Sequence, residues 1–151
     1  MKYYITYFYN VRFLKPNMIP FSTAVWDPKW WHDYKGASYA FVDKNGVING
    51  LRVETLQPQS HCCPCEAKNP EACLFLKEYS IQLENTNFEE LTGYLEAVAY
   101  DAKEQLKFQE EPEIVLLVYE KPDNPCSERW PLLKYFANHG IILNEFDREE
   151  R

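Results

Sequence analysis

A chain of 151 residues with 46% hydrophobic residues is sized for one domain with a real core. Its formal net charge of -7 argues against unspecific binding to duplex nucleic acid, which needs cations to neutralise phosphates, but leaves room for a local basic pocket. No apolar run approaches the ~20 residues that span a bilayer, and Met1-Lys2-Tyr3-Tyr4 lacks the apolar core of a signal peptide, so the expectation is a cytoplasmic protein with reduced thiols.

In chain order, Lys2 to Tyr9 is rich in β-formers and reads as a first strand. Lys15-Pro16-Asn17 is a turn. Met18 to Val25 reads as a second strand, with Pro20 assigning its start to an edge or entry position. Trp26-Asp27-Pro28-Lys29-Trp30-Trp31-His32 is an aromatic loop, either a stacking surface for a planar ligand or a lid packed on the core. The chain's 16% aromatic content exceeds what a core needs, so either some rings line a cleft or a partner surface or, as an equal alternative, all of them only pack. Ser38 to Lys44 and Val47 to Val53 flank Asn45-Gly46, the strongest short hairpin signal, because both central residues of such a turn take positive φ. Leu56 to Pro64 reads as loop.

Asn69-Pro70-Glu71 has the form of a helix start, with Asn as cap, Pro in the first helical position and an acid in the first turn. Ala72, Leu76, Tyr79 and Leu83 then fall on one helical face. Asn87 with Glu90 three residues later resembles a capping box. Phe88, Leu91, Leu95, Val98, Ala102 and Leu106 predict the longest helix. Gly93 within it either permits close packing or serves nothing.

Ile114 to Val118 is a continuous apolar run, the pattern of a strand buried on both faces. Pro122, Asp123, Asn124 and Pro125 break it, and a helix follows, starting at Asn124-Pro125 with a kink or near Pro131. Gly140 ends that helix, Ile141 to Leu143 forms a last short strand, and Glu145 to Arg151 is a charged tail. The expected fold is therefore an α/β three-layer sandwich around a mainly parallel sheet, residues 1–144, with a β-hairpin and a cysteine-rich loop.

A strand, tight turn and helix is where open α/β sheets place ligands. Here that position carries Tyr119, Glu120, Lys121, Cys126, Ser127, Glu128 and Arg129. A thiol near a helix N-terminus and an arginine can have a lowered pKa, which makes Cys126 a candidate nucleophile, with Glu120 or Glu128 as acid or base and Arg129 holding an anion. The alternative is that Cys126 is a half-buried residue of the capping region and that Glu128 and Arg129 pair to fix the turn. Thr6, Tyr7 and Trp30 are expected to converge on the same site from the first strand and the aromatic loop.

His61-Cys62-Cys63-Pro64-Cys65 followed by Cys73 places four thiols within twelve residues, which in a reduced compartment suggests a structural zinc. Cys62 and Cys65 have the separation that lets two thiolates reach one ion from a tight turn, and Cys73 approaches from the next helix. The ligands are then Cys62, Cys65 and Cys73, with Cys63, His61 or the distant Cys126 as the fourth. The competing reading is a loop of free thiols or one labile disulfide.

Leu116-Leu117-Val118-Tyr119-Glu120-Lys121-Pro122 and then Cys126 resemble the signature of a bacterial and phage family of small uncharacterised proteins, in which a buried strand ends in Cys-Tyr-Glu-Lys-Pro before Cys-His-Arg. Thr6-Tyr7-Phe8, Pro20, Ser22, Pro28-Lys29-Trp30, Gly50-Leu51 and Leu56-Gln57-Pro58 match the rest of that pattern in order. The resemblance implies a three-layer α/β fold and supplies no established activity. Val118 stands where the family has a cysteine and Ser127 where it has the histidine, and Arg129 is displaced by one. The cysteine cluster then marks a zinc-bearing branch. Two functions follow as expectations: a protein binding a small anionic or nucleotide-like ligand at Tyr119–Arg129, enzymatic or not, and a non-catalytic zinc-stabilised module that binds a protein partner.

Overall fold

The computed structural model describes residues 1–31, 42–59, 69, 71 and 73–146. Its frame is a four-stranded sheet of β1 (Tyr3–Tyr7), β2 (Met18–Ser22), β3 (Glu113–Val118) and β4 (Leu143–Glu145). The order is β2-β3-β1-β4 and every neighbouring pair is parallel. The apolar run therefore lies where its composition requires, between two strands, and Ile114 to Val118 are wholly buried. At about 1.5–3 kcal/mol per buried aliphatic side chain, this strand is a major source of stability. β2 lies at the edge, the place where Pro20 costs the sheet no essential N–H.

The sheet's two faces are covered differently. Ile114, Leu116 and Val118 point to one face with Tyr3, Ile5, Ile19 and Phe21, and there they meet α1 (Leu74–Glu84), α2 (Phe88–Leu106) and α3 (Arg129–Asn138). Val115 and Leu117 point the other way, as the two-residue period of a strand demands. They pack with Phe8, Val11, Trp31, Val47 and Phe146, which come from a 3-10 helix at Phe8–Phe13 and from loops. The α/β class is as expected, but among the described residues one outer layer is built of 3-10 helix and loop.

The helix ends show which local signals were decisive. The Asn87 side chain accepts the Glu90 N–H at 3.1 Å and caps α2 as expected. A Cβ on Gly93 would meet open space, so this glycine permits no close packing. α1 begins at Leu74 with Cys73 as its N-cap, later than Asn69-Pro70 predicts; the Asn69 side chain accepts the Glu71 N–H, two residues on, in a local turn. Ala72 lies outside the described residues. α3 begins at Arg129, which leaves Pro131 in the first turn, where an N–H needs no partner inside the helix. It ends on Gly140 at φ +84°, with Ile141 N–H donating to the Phe136 carbonyl and Gly140 N–H to that of Ala137. That pair of bonds is a Schellman motif, for which glycine is preferred.

Two other expectations are corrected. At Asn45-Gly46 only Gly46 has positive φ, and Asp43 N–H donates to the Val47 carbonyl while Gly46 N–H donates to that of Asp43. The loop is thus a longer turn closed by a glycine bulge rather than a two-residue turn. Its antiparallel pairing is the bridge Val42 to Ile48, residues 38–41 lie outside the described residues, and Arg52 bridges to Ser22 in parallel. The last strand begins at Leu143 rather than Ile141, and Glu145 and Phe146 belong to the fold rather than to a tail.

Candidate functional site

β3 delivers its chain to the carboxyl rim of the sheet, and the turn beyond it folds around Asn124. The Asn124 side chain accepts the Cys126 N–H at 2.9 Å, and the Asn124 backbone carbonyl accepts Trp130 Nε1–H at 2.8 Å. Asn stabilises such turns because its side chain imitates a backbone acceptor. The consequence is a sharp division. Tyr119 and Lys121 stay exposed, and Cys126, Ser127, Glu128 and Arg129 are drawn inside.

Arg129 is 0% exposed. Its Nε and Nη2 donate to the Glu145 carboxylate at 2.6 and 3.3 Å, and its Nη1 donates to the Glu120 carbonyl at 2.8 Å. The expected ion pair with Glu128 is replaced by one with Glu145, because parallel pairing of β4 with β1 brings that residue to the same rim. The guanidinium therefore joins β4 to the turn and spends its hydrogen bonds inside the protein.

Glu128 is also buried, and its Oε2 has no hydrogen-bond partner among the described residues. Burial first, and then the nearby Glu120 carboxylate, push its pKa well above the ordinary carboxylate range, against the pull of the Tyr119 backbone hydrogen bond and Arg129. Ser127 Oγ links the neighbours: it donates to Glu120 Oε2 at 3.2 Å and accepts the Arg129 N–H at 3.1 Å. Glu128 lies near enough to Tyr79 of α1 to help raise that phenol's pKa, after the larger effect of burial. Two carboxyl groups thus share one turn, Glu128 buried and Glu120 half-buried.

Cys126 packs in a buried cluster with Cys73, Phe75 and Leu76. The described histidine, His139, stacks on Phe88 at the far end of α3, so no described imidazole is placed to serve as base for this thiol. Among the expected metal ligands, Cys73 is the N-cap of α1, and His61, Cys62, Cys63 and Cys65 lie outside the described residues. Among the described residues no group of three or more His, Cys, Asp or Glu could hold a metal ion.

The N-terminal residues expected at this site are divided by the sheet. Thr6 is buried, donating to the Phe146 carbonyl at 3.3 Å and accepting Asn10 Nδ2–H at 2.8 Å. Tyr7 stacks on Tyr9. Trp30 lines a cleft on the loop side with Phe8, Tyr9, Arg12 and Lys44, away from Glu128 and α1. Within the aromatic loop the tryptophans divide between core and surface. Trp31 is buried and donates to the Leu51 carbonyl at 3.1 Å, and Trp26 and Trp30 are exposed.

Sequence reasoning missed two groups. Ser22 Oγ donates to Asp27, whose carboxylate pairs with Arg52 at 2.7 Å, at the end of β2. That pairing depends on Arg52 lying beside Ser22, which no local pattern announces. The Arg12 guanidinium carbon sits 4.0 Å from the Tyr9 ring centroid; the separation of three residues within a helical turn was the available signal.

The chain matches no family model, no curated protein and no solved structure. No helix among the described residues is long and apolar enough to cross a membrane.

Proposed function

We propose that this chain binds a small nucleotide-like ligand at the Tyr119–Arg129 turn, with Glu128 and Glu120 as its hydrogen-bonding pair. The observation that carries the reading is the buried Glu128 carboxyl with one oxygen unpartnered. An unsatisfied buried polar group costs about 1–3 kcal/mol, and such costs concentrate where a ligand supplies the missing partner. A protonated Glu128 offers an O–H donor, and the neighbouring Glu120 offers acceptors. Exposed Tyr119 adds a ring face. That set complements the mixed donors and acceptors of a nucleobase edge. With the Arg129 guanidinium committed to Glu145, recognition rests on hydrogen bonds rather than on an anion. The raised pKa of buried Glu128 suits it to hold a proton that acid chemistry could use. The likeness of Leu116 to Pro122 and Cys126 to the bacterial and phage signature supports the choice of place. Titration of isotope-labelled protein with the common nucleosides tests it: saturable shifts of the Tyr119, Ser127 and Glu128 amides are expected, with binding weakened by Glu128→Ala. Unmoved amides at millimolar nucleoside would end this reading.

A second reading rests on the shared burial of Cys73 and Cys126, which are distant in sequence. They would supply two thiolates of a structural zinc site, and the cysteines among Cys62, Cys63 and Cys65 would complete it, giving a zinc-stabilised interaction module. Protein purified without chelator should then carry one zinc per chain that Cys73→Ser and Cys126→Ser each remove. Zinc-free wild-type protein with freely titratable thiols would dismiss it.

A further inference from the structure

We infer that the loop side of the sheet carries a separate site for a nucleoside phosphate, in the cleft between the 3-10 helix at Phe8–Phe13 and the turn at Asp43–Gly46. This inference does not rest on the Glu128 site, which faces α1. The cleft holds about 390 Å³, within the range of small-molecule sites. Its walls include the rings of Tyr9 and Trp30, 47% and 43% exposed. Trp30 meets Phe8 and Trp31 at 83° and 81°, edge contacts that fix its ring while much of it stays exposed to a base.

The charge of the cleft is the second line of argument. Arg12 and Lys44 line it together with one acid, Asp43. Asp43 is occupied: Oδ1 accepts the backbone N–H groups of Asn45 and Val47, and Oδ2 accepts Asn49 Nδ2–H at 3.4 Å. Arg12 is braced against the wall, its Nε donating to the Tyr9 carbonyl at 3.0 Å, which leaves its terminal amino groups to point elsewhere. Lys44 is exposed and has no hydrogen bond or ion pair among the described residues. Two cations and two exposed rings therefore meet in a cleft of a chain whose net charge is -7. A planar aromatic group that carries an anion satisfies both at once: the base stacks on Trp30, and the phosphate lies between Arg12 and Lys44.

The ligand can come from two sources, a free nucleotide or a unit of a single strand. Calorimetry and amide shifts with AMP, UMP and a short oligothymidylate separate them. Saturable binding is expected, with shifts at Phe8 to Arg12 and Asp43 to Val47 rather than at Tyr119 to Arg129. Stacking energies of known size put the loss for Trp30→Ala at roughly tenfold or more. Lys44→Ala, at an exposed turn, should weaken binding severalfold with an unchanged circular dichroism spectrum. Equal affinities for mononucleotide and oligomer would assign a free nucleotide. A tighter oligomer, whose salt dependence flattens by about 0.7 in log–log slope on Lys44→Ala, would assign a single strand. No saturable binding of any of the three at millimolar concentration, or binding indifferent to both substitutions, would overturn the inference.

Discussion

Two polar regions lie at the carboxyl rim and the loop side of this sheet, and they are built in opposite ways. At the turn after β3, Ser127, Glu128 and Arg129 are buried, and all but one Glu128 oxygen have partners. In the loop-side cleft, Arg12, Lys44, Tyr9 and Trp30 are exposed and only partly engaged. The difference teaches that charge alone does not mark a binding residue. Arg129 is the more conspicuous cation in the sequence, yet its hydrogen bonds go to Glu145 and Glu120, and the less conspicuous Arg12 and Lys44 are exposed along a cleft.

The sharpest way to break this comparison is to remove a cation from the buried side. Arg129→Leu removes the donor of the bonds to the Glu120 carbonyl and to the Glu145 carboxylate, which is 35% exposed, and it should cost about 1–3 kcal/mol in urea unfolding, the range for a buried group that loses its partner. Trp30→Ala, at a half-exposed ring, should cost about 1 kcal/mol or less by the same measurement. Equal losses would erase the distinction between a structural turn and an open cleft.

The next effect is electrostatic. Glu128 has a raised pKa when folded, so the folded protein keeps a proton that the unfolded chain has already released. Stability should therefore fall as pH rises from the ordinary carboxylate range toward the folded pKa, by up to about 1.4 kcal/mol per pH unit for this one group. Glu128→Gln cannot lose a proton there, so that component of the slope should vanish, and the variant should be at least as stable as wild type at neutral pH. Unfolding free energies measured across that interval decide it; identical slopes would mean that Glu128 titrates normally.

The smallest effects set the scale, because α2 serves neither region. Asn87→Ala removes the acceptor of the Glu90 N–H and should cost about 1 kcal/mol. Gly93→Ala enters open space at a helical position and should gain about 1 kcal/mol. A loss on Gly93→Ala, read as a lower melting temperature, would show a contact at that helix face.

The parts of this fold that were legible in the sequence are those fixed by neighbours in the chain. The Ile114 to Val118 run could only be buried on both faces, and Asn87 with Glu90 encodes its own cap. The Asn69-Pro70 signal misled because the helix that forms begins at Leu74, with Cys73 in the N-cap position, and the Asn69 side chain accepts the Glu71 N–H in a local turn before it. What remained hidden depends on chain segments brought together by the sheet. Arg129 finds Glu145 through β4, and Asp27 finds Arg52 through the bridge beside Ser22. The turn was correctly placed at the rim, but which of its side chains turn inward is decided by Asn124 and by packing against α1 and β4.

The carboxyl carbon of Glu128 reports the account most directly, through a pH titration by nuclear magnetic resonance with Glu128→Gln used to assign the signal. A midpoint well above the ordinary carboxylate range, moved further by a ligand that perturbs the Tyr119 and Ser127 amides, is the expected result. A midpoint within the ordinary range would mean that this carboxyl is solvated and ionised, and the buried donor on which the proposed site depends would not exist.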